Sequence, residues 1–134
     1  MVSEIELVEH AVKAKGKAIP TYSHFHVGAA LLTEDDKVIL GANIENASYG
    51  LTICAERTAV FKALLDGERK FKAIAIAGDS EVFLPPCGAC RQILLEFCGK
   101  NLDVLMVNMK GEYVKKKMSE LLPFSFGEEF LKHE

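Results

Sequence analysis

Two short segments limit this chain more than anything else in it. Phe71 to Ala77 and Leu102 to Met109 are almost continuously apolar, with no alternation of polar and apolar residues. Such runs read as strands buried on both faces, which need cover on each side of a sheet. Between them, Pro85-Pro86 break the chain, and a helical segment runs from about Gly88 to Phe97, ended by Gly99. A strand, a helix and a second buried strand predict helices packed on a sheet.

The rest of the chain agrees. Ser3-x-x-Glu6 is a capping box. It opens a helix in which Leu7, Ala11, Ala14 and Ala18 repeat at helical spacing, as do Ile5, Val8 and Val12, until Pro20. Val27 to Thr33 and Val38 to Ile44 read as a hairpin around the polar turn Glu34-Asp35-Asp36-Lys37. After an irregular stretch, a second helix runs from about Cys54 to Asp66, with Gly67 placed to cap it. Tyr113 and Val114 offer a further strand, Met118 to Leu122 a short helical piece, and Glu128 to Lys132 a last helical turn. The prediction is one α/β domain over residues 1–134, a three-layer α-β-α sandwich.

Composition excludes several classes. With 16 basic and 19 acidic residues the formal net charge is −3, so nucleic acid is a poor partner. The run Lys115-Lys116-Lys117 reads as solvated surface. No apolar run reaches the ~18 residues of a membrane helix, and the acidic start Met1-Val2-Ser3-Glu4 does not resemble a signal peptide. Four cysteines without such a signal point to the reducing cytoplasm, where clustered cysteines bind metal or do redox chemistry.

The cysteines carry the chemistry. Cys54 stands at the start of the second helix, and Cys87 and Cys90 at the start of the third. Residues three apart share a helix face, and helix starts favour thiolate over thiol. Two helix starts supplying three thiolates make a zinc site. Cys98 lies eight residues beyond Cys90, roughly 12 Å along a helix axis. Zinc needs its sulfurs within about 4 Å of each other, so Cys98 is excluded and reads as a buried free thiol. Three ligands leave one position open, the mark of a catalytic zinc. Glu56, on the first turn of the second helix, is then a candidate proton shuttle. Two rival readings stay open from these residues alone: a thioredoxin-like oxidoreductase using Cys87-x-x-Cys90, and a non-enzymatic module with a closed zinc site.

Cys54-Ala55-Glu56-Arg57 followed by Pro86-Cys87-Gly88-Ala89-Cys90 resembles the signature of the zinc-dependent cytidine deaminases. Tyr22 to Ala30, Gly41 to Gly50 and Leu121 to Phe126 are similar to further segments of that family, so the resemblance spans nearly the whole chain. Phe124-Ser125 stands where a Gly-Ala pair is common. The resemblance implies a mixed five-stranded sheet and one Zn2+ per chain on Cys54, Cys87 and Cys90. It implies hydrolytic deamination of cytidine and 2′-deoxycytidine in pyrimidine salvage. Zinc-bound hydroxide would attack C4, with Glu56 shuttling the protons. Arg57 would offset the charge of the three thiolates, with Arg91 and Gln92 as weaker candidates. Asn43 and Glu45 would bind the sugar 3′-hydroxyl, Phe25 would stack on the pyrimidine, and the Ala55 N–H would contact its carbonyl. The short, three-cysteine class implies a homotetramer in which Phe126 covers a neighbour's site. Phe61, Leu64, Leu65 and the segment Leu121 to Phe126 are expected to be more apolar than a lone surface needs. A nucleoside antibiotic such as blasticidin S is the neighbouring substrate in chemistry.

Overall fold

The computed structural model of the protein describes residues 1–131. Helix α1 (Glu4–Ala14) opens with Ser3 as its cap. Ser3 Oγ accepts from the Glu6 N–H at 3.2 Å, and the Glu6 carboxylate accepts from the Ser3 N–H at 3.1 Å. Strands β1 (Val27–Thr33) and β2 (Val38–Ala42) form the expected hairpin, followed by helix α2 (Ala55–Leu65), strand β3 (Phe71–Gly78), helix α3 (Gly88–Cys98) and strand β4 (Asp103–Val107). Strand β5 (Tyr113–Lys117) and the short helix α4 (Met118–Leu121) complete the order, with single 3-10 turns at Lys15–Lys17, Tyr49–Leu51 and Glu128–Phe130. Of the last helical turn expected over Glu128 to Lys132, Lys132 lies outside the described residues.

One mixed sheet of order β2-β1-β3-β4-β5 runs through the molecule. β3 and β4 are parallel and joined through α3, while β1/β2, β1/β3 and β4/β5 are antiparallel. The period-2 geometry of a strand sorts the core into two halves. Ala30, Leu32, Ala73, Ala75 and Ala77 join Leu7, Val8 and Ala11 of α1 on one face. Ala29, Leu31, Ile74 and Ile76 join Ala59, Val60 and Leu94 of α2 and α3 on the other. This is the three-layer α/β arrangement, and β1, β3 and β4 are buried on both faces.

Two glycines set how close the helices come. A Cβ on Gly28 would stand 2.2 Å from the Ala11 carbonyl oxygen of α1, and one on Gly41 would stand 2.3 Å from the Ala55 carbonyl oxygen of α2. Both helices lie directly on backbone that lacks a side chain.

Some bounds differ from the sequence reading. β2 ends at Ala42, because Asn43 turns its amide onto the loop before β1 and Ile44 forms isolated bridges to Ile19 and Ile53 instead. β5 extends through the lysine run. Lys115, Lys116 and Lys117 are exposed as expected, but on an edge strand, facing Glu4 at 2.7 Å, Glu120 at 3.9 Å and Asp103 at 2.7 Å. Charged edges of this kind resist pairing with another chain. Phe61, Leu64, Leu121 and Leu122 are partly buried against the α2–α3 core, whereas Leu65, Phe124 and Phe126 are exposed.

Candidate metal centre and active site

Cys54 and Cys87 are the N-cap residues of α2 and α3, and Cys90 lies in the first turn of α3. Neither N-cap thiol spends itself on a capping hydrogen bond. The sulfurs therefore sit at two helix N-termini, where free N–H groups and the positive dipole end favour negative charge. Cys54 and Cys87 are 33 residues apart in sequence, yet their Sγ atoms are 4.0 Å apart. All three sulfurs lie within 4.8 Å of one another. Cys90 is buried, Cys54 partly buried and Cys87 exposed, so the cluster opens to solvent on one side.

The charges around the cluster favour a thiolate at Cys54. Arg57 Nη2 donates to Cys54 Sγ at 3.4 Å. The Cys54 thiol is drawn down to about 5, first by the hydrogen bond from the Cys90 thiol and then by Arg57, against the opposing effect of burial. Cys90 moves the other way, held protonated by that same bond and by burial. Arg57 Nε is buried with no partner among the described residues. Three converging sulfurs, with a guanidinium donating to one of them and an orphan N–H on that guanidinium, fit a soft divalent cation bound by thiolates. They are positioned to hold zinc. Among the described residues no fourth ligand joins the cluster, which disfavours the closed structural site. The third sulfur disfavours the two-cysteine redox reading. Cys98 is not part of the cluster, and burial pushes its thiol up to about 12.

Glu56 is 5% exposed. Burial pushes its carboxyl up to about 7, with the negative charge of Cys54 adding to the effect. A carboxyl poised near neutrality can both take and give a proton. It lines a cavity of about 240 Å3 together with Cys54, Ala55, Cys87, Asn43, Glu45 and the apolar walls Val27, Ile53, Leu84 and Pro85. Ala55 is the first residue of α2, where the backbone N–H has no partner inside the helix. A second cavity of about 340 Å3, lined by Tyr22, Ser23, Glu45, Tyr49 and Thr52, shares Glu45 and Thr52 with the first.

Asn43 and Glu45 both line the cavity that holds Glu56, and they also fasten the loop before β1. Asn43 Oδ1 accepts from the Val27 N–H at 2.9 Å and Nδ2 donates to the Phe25 carbonyl at 2.9 Å. Glu45 accepts from the N–H groups of Tyr22 and Ser23 at 3.0 and 2.9 Å and from the Ser23 hydroxyl. These bonds hold its carboxyl below the usual range, the Ser23 hydroxyl contributing most. Phe25 is not among the side chains lining the cavity. Its ring lies over Gly78 beside Leu84, and Leu84 forms the wall. Phe126 is 57% exposed and stacks on Phe130 at 5.3 Å, and it is not among the residues lining the cavity of its own chain. The sequence reading missed Val27, Thr52, Leu84 and Pro85, because apolar walls and single hydroxyls carry no chemical signature.

Residues 1–106 match the cytidine and deoxycytidylate deaminase zinc-binding region. A cytidine deaminase of Halalkalibacterium halodurans is 52% identical over 120 residues, covering 90% of this chain and 91% of that protein. One from Sporosarcina psychrophila is 47% identical over 128 residues, covering 96% and 94%. The crystal structure of a cytidine deaminase from Burkholderia pseudomallei superposes with a TM-score of 0.90 at 48% identity, covering 92% of this chain and 99% of that one. With three sulfurs converging at two helix starts and a buried glutamate beside them, the chain belongs to the zinc-binding cytidine and deoxycytidylate deaminase family and is an enzyme of that class.

Proposed function

We propose that the protein hydrolyses cytidine and 2′-deoxycytidine to the corresponding uridines and ammonia, with one zinc per chain on Cys54, Cys87 and Cys90. The observation that carries this reading is the buried Glu56, pushed up to about 7, in one cavity with Cys54 and Cys87 of the three-sulfur cluster. Zinc, when bound, supplies the Lewis acidity that makes water a nucleophile near neutral pH. Glu56 takes a proton from the attacking water and delivers it to ring N3. It then carries a second proton to the departing amino group, so that ammonia leaves and the C4 oxygen remains. Arg57 stabilises negative charge on Cys54. The Ala55 N–H donates to the pyrimidine carbonyl. Asn43 donates to the sugar 3′-hydroxyl and Glu45 accepts from it, with the same side chains that fasten the 22–27 loop. The stacking role that the resemblance gives Phe25 is indirect in this geometry: its ring lies beside Leu84, and Leu84 meets the pyrimidine end of the pocket.

A nucleoside is favoured over a nucleotide. Among the described residues no lysine or arginine lines either cavity, and Glu45 in the shared wall is anionic. A phosphate carrying ~2 negative charges finds no cation there. Residues 1–134 act as one domain, an assignment supported by the five-stranded sheet on whose two faces α1, α2 and α3 pack. A homotetramer is supported by the exposed Tyr49, Leu51, Phe124 and Phe126. Phe126 then covers the pyrimidine in a neighbour's site. No helix among the described residues is long and apolar enough to cross a membrane, in keeping with a cytoplasmic enzyme.

The test is ultraviolet monitoring of purified zinc-loaded protein with cytidine, deoxycytidine, deoxycytidylate, cytosine, adenosine and blasticidin S. Turnover of the two nucleosides is expected. Turnover of adenosine alone, or of nothing, overturns the activity. Preference for deoxycytidylate overturns the nucleoside assignment. Light scattering with a Phe126→Ala variant tests the shared site: a fully active monomer refutes it.

A further inference from the structure

Arg91 directly follows the ligand Cys90 and was a candidate for offsetting thiolate charge. Its donors point elsewhere. Arg91 Nε donates to the Pro86 carbonyl at 2.8 Å, and Nη1 donates to the Leu121 carbonyl at 2.7 Å. The next residue, Gln92, donates from Nε2 to the Phe126 carbonyl at 2.8 Å. Pro86 immediately precedes the ligand Cys87, and Leu121 ends α4 at the root of the segment that carries Phe126. Residues 79–87 and 122–127 contain no helix or strand. The Pro86 and Phe126 carbonyls therefore have no helix or strand ladder to pair with, and the Leu121 carbonyl is one of those left free at the end of α4. A planar guanidinium presents donors in a fixed fork, so it sets the separation of two chain segments in a way a lysine cannot.

We propose that Arg91 is a positioning residue that latches the C-terminal segment to the loop bearing Cys87, with Gln92 as a second catch on the C-terminal side alone. The metal ligand and the Phe126 segment then hold each other in register through α3. The two residues divide the work. Arg91 touches both the ligand loop and the C-terminal segment, whereas Gln92 touches only the latter. The catalytic consequence rests on the reading of Phe126 as a cover for the pyrimidine, and the metal-side consequence does not.

The experiment compares Arg91→Ala, Arg91→Lys and Gln92→Ala in the zinc-loaded enzyme. Zinc transfer to a chromogenic chelator is timed without substrate, amide hydrogen exchange is followed over residues 122–131, and kcat and KM are measured for cytidine. Arg91→Ala is expected to release zinc about 10-fold faster, the low end of the effect of losing a direct partner of a ligand, because Arg91 holds the Pro86 carbonyl beside Cys87 and not the Cys87 sulfur itself. It also speeds exchange over the C-terminal segment and raises KM more than it lowers kcat. Arg91→Lys keeps the charge and fails to restore slow zinc release. Gln92→Ala leaves zinc release unchanged but speeds C-terminal exchange and raises KM by about 3–10-fold. If Arg91→Ala does not fold, Arg91→Lys carries the zinc test. Wild-type zinc release in the Arg91 variants, or equal acceleration in Gln92→Ala, overturns the latch. Zinc release and exchange that behave as stated with an unmoved KM uphold the latch and refute the role of Phe126 instead.

Discussion

Replacing Gly41 with alanine tests whether the seat of α2 controls the chemistry. A Cβ there would lie 2.3 Å from the Ala55 carbonyl oxygen, 2.6 Å from the Ala59 nitrogen and 2.8 Å from Ala59 Cβ. Most of these atoms are helix backbone and cannot swing aside. Ordinary contact begins at 3.4 Å, so α2 must withdraw by roughly 1 Å at its first turn, a displacement that costs on the order of 100-fold in rate when reacting groups move with it. That turn carries Cys54, Glu56 and Arg57. Overpacking of this kind costs about 1–3 kcal/mol, which for a chain of this length lowers Tm by roughly 4–12 °C. The assay is thermal unfolding followed by circular dichroism, with turnover expressed per bound zinc. Gly28→Ala makes an equivalent clash with α1, a helix that holds none of the site residues, so it is expected to lose stability with a much smaller loss of turnover per zinc. Gly16→Ala meets nothing within 4 Å and is expected to stay within about 0.5 kcal/mol of the parent. Wild-type Tm and turnover in Gly41→Ala would refute the argument.

Glu56→Gln should keep the zinc and the fold while kcat falls by about 10⁴-fold or more, because one group handles every proton transfer; near-normal turnover moves the shuttle to another residue. Arg57→Ala should lower kcat by about 10–100-fold with little change in KM; a rise in KM alone at unchanged kcat would place Arg57 in substrate binding. Cys98→Ala should retain full zinc by metal analysis, and zinc loss would contradict the three-ligand centre. The same variant has a pH signature. Burial raises the folded Cys98 thiol from 9.0 to about 12, so its contribution is complete below pH ~9 and is lost as pH rises from there towards 12. Between pH 8.5 and 10.5 the parent should lose about 2 kcal/mol more than Cys98→Ala in urea unfolding; parallel curves would show that Cys98 ionises freely in the folded protein.

The sequence by itself determined the parts of this protein that depend on neighbours along the chain. The capping box at Ser3, the stop at Gly99 and the nearly continuous apolar run of β3 are local patterns, and each appears where the residues predict it. Cys54, Cys87 and Cys90 were legible because few side chains bind soft metals, and their places at helix starts follow from local periodicity. Tertiary structure decided which of these starts meet. Cys54 reaches Cys87 because α2 and α3 pack on the same face of one sheet, and the strand order that brings them together is written in no single segment. It also decided that Glu56 is buried and so pushed up to about 7, since burial depends on everything packed around a side chain. The family resemblance makes Asn43 and Glu45 sugar ligands, and their residue types alone say no more than loop residues at a strand end, yet much of their hydrogen bonding fastens the backbone of residues 22–27. Arg91 was read as a charge beside thiolates, yet it binds the carbonyls of Pro86 and Leu121. Every residue carries a backbone carbonyl, so the sequence does not mark which ones a side chain will find; only the folded chain brings donor and acceptor within reach.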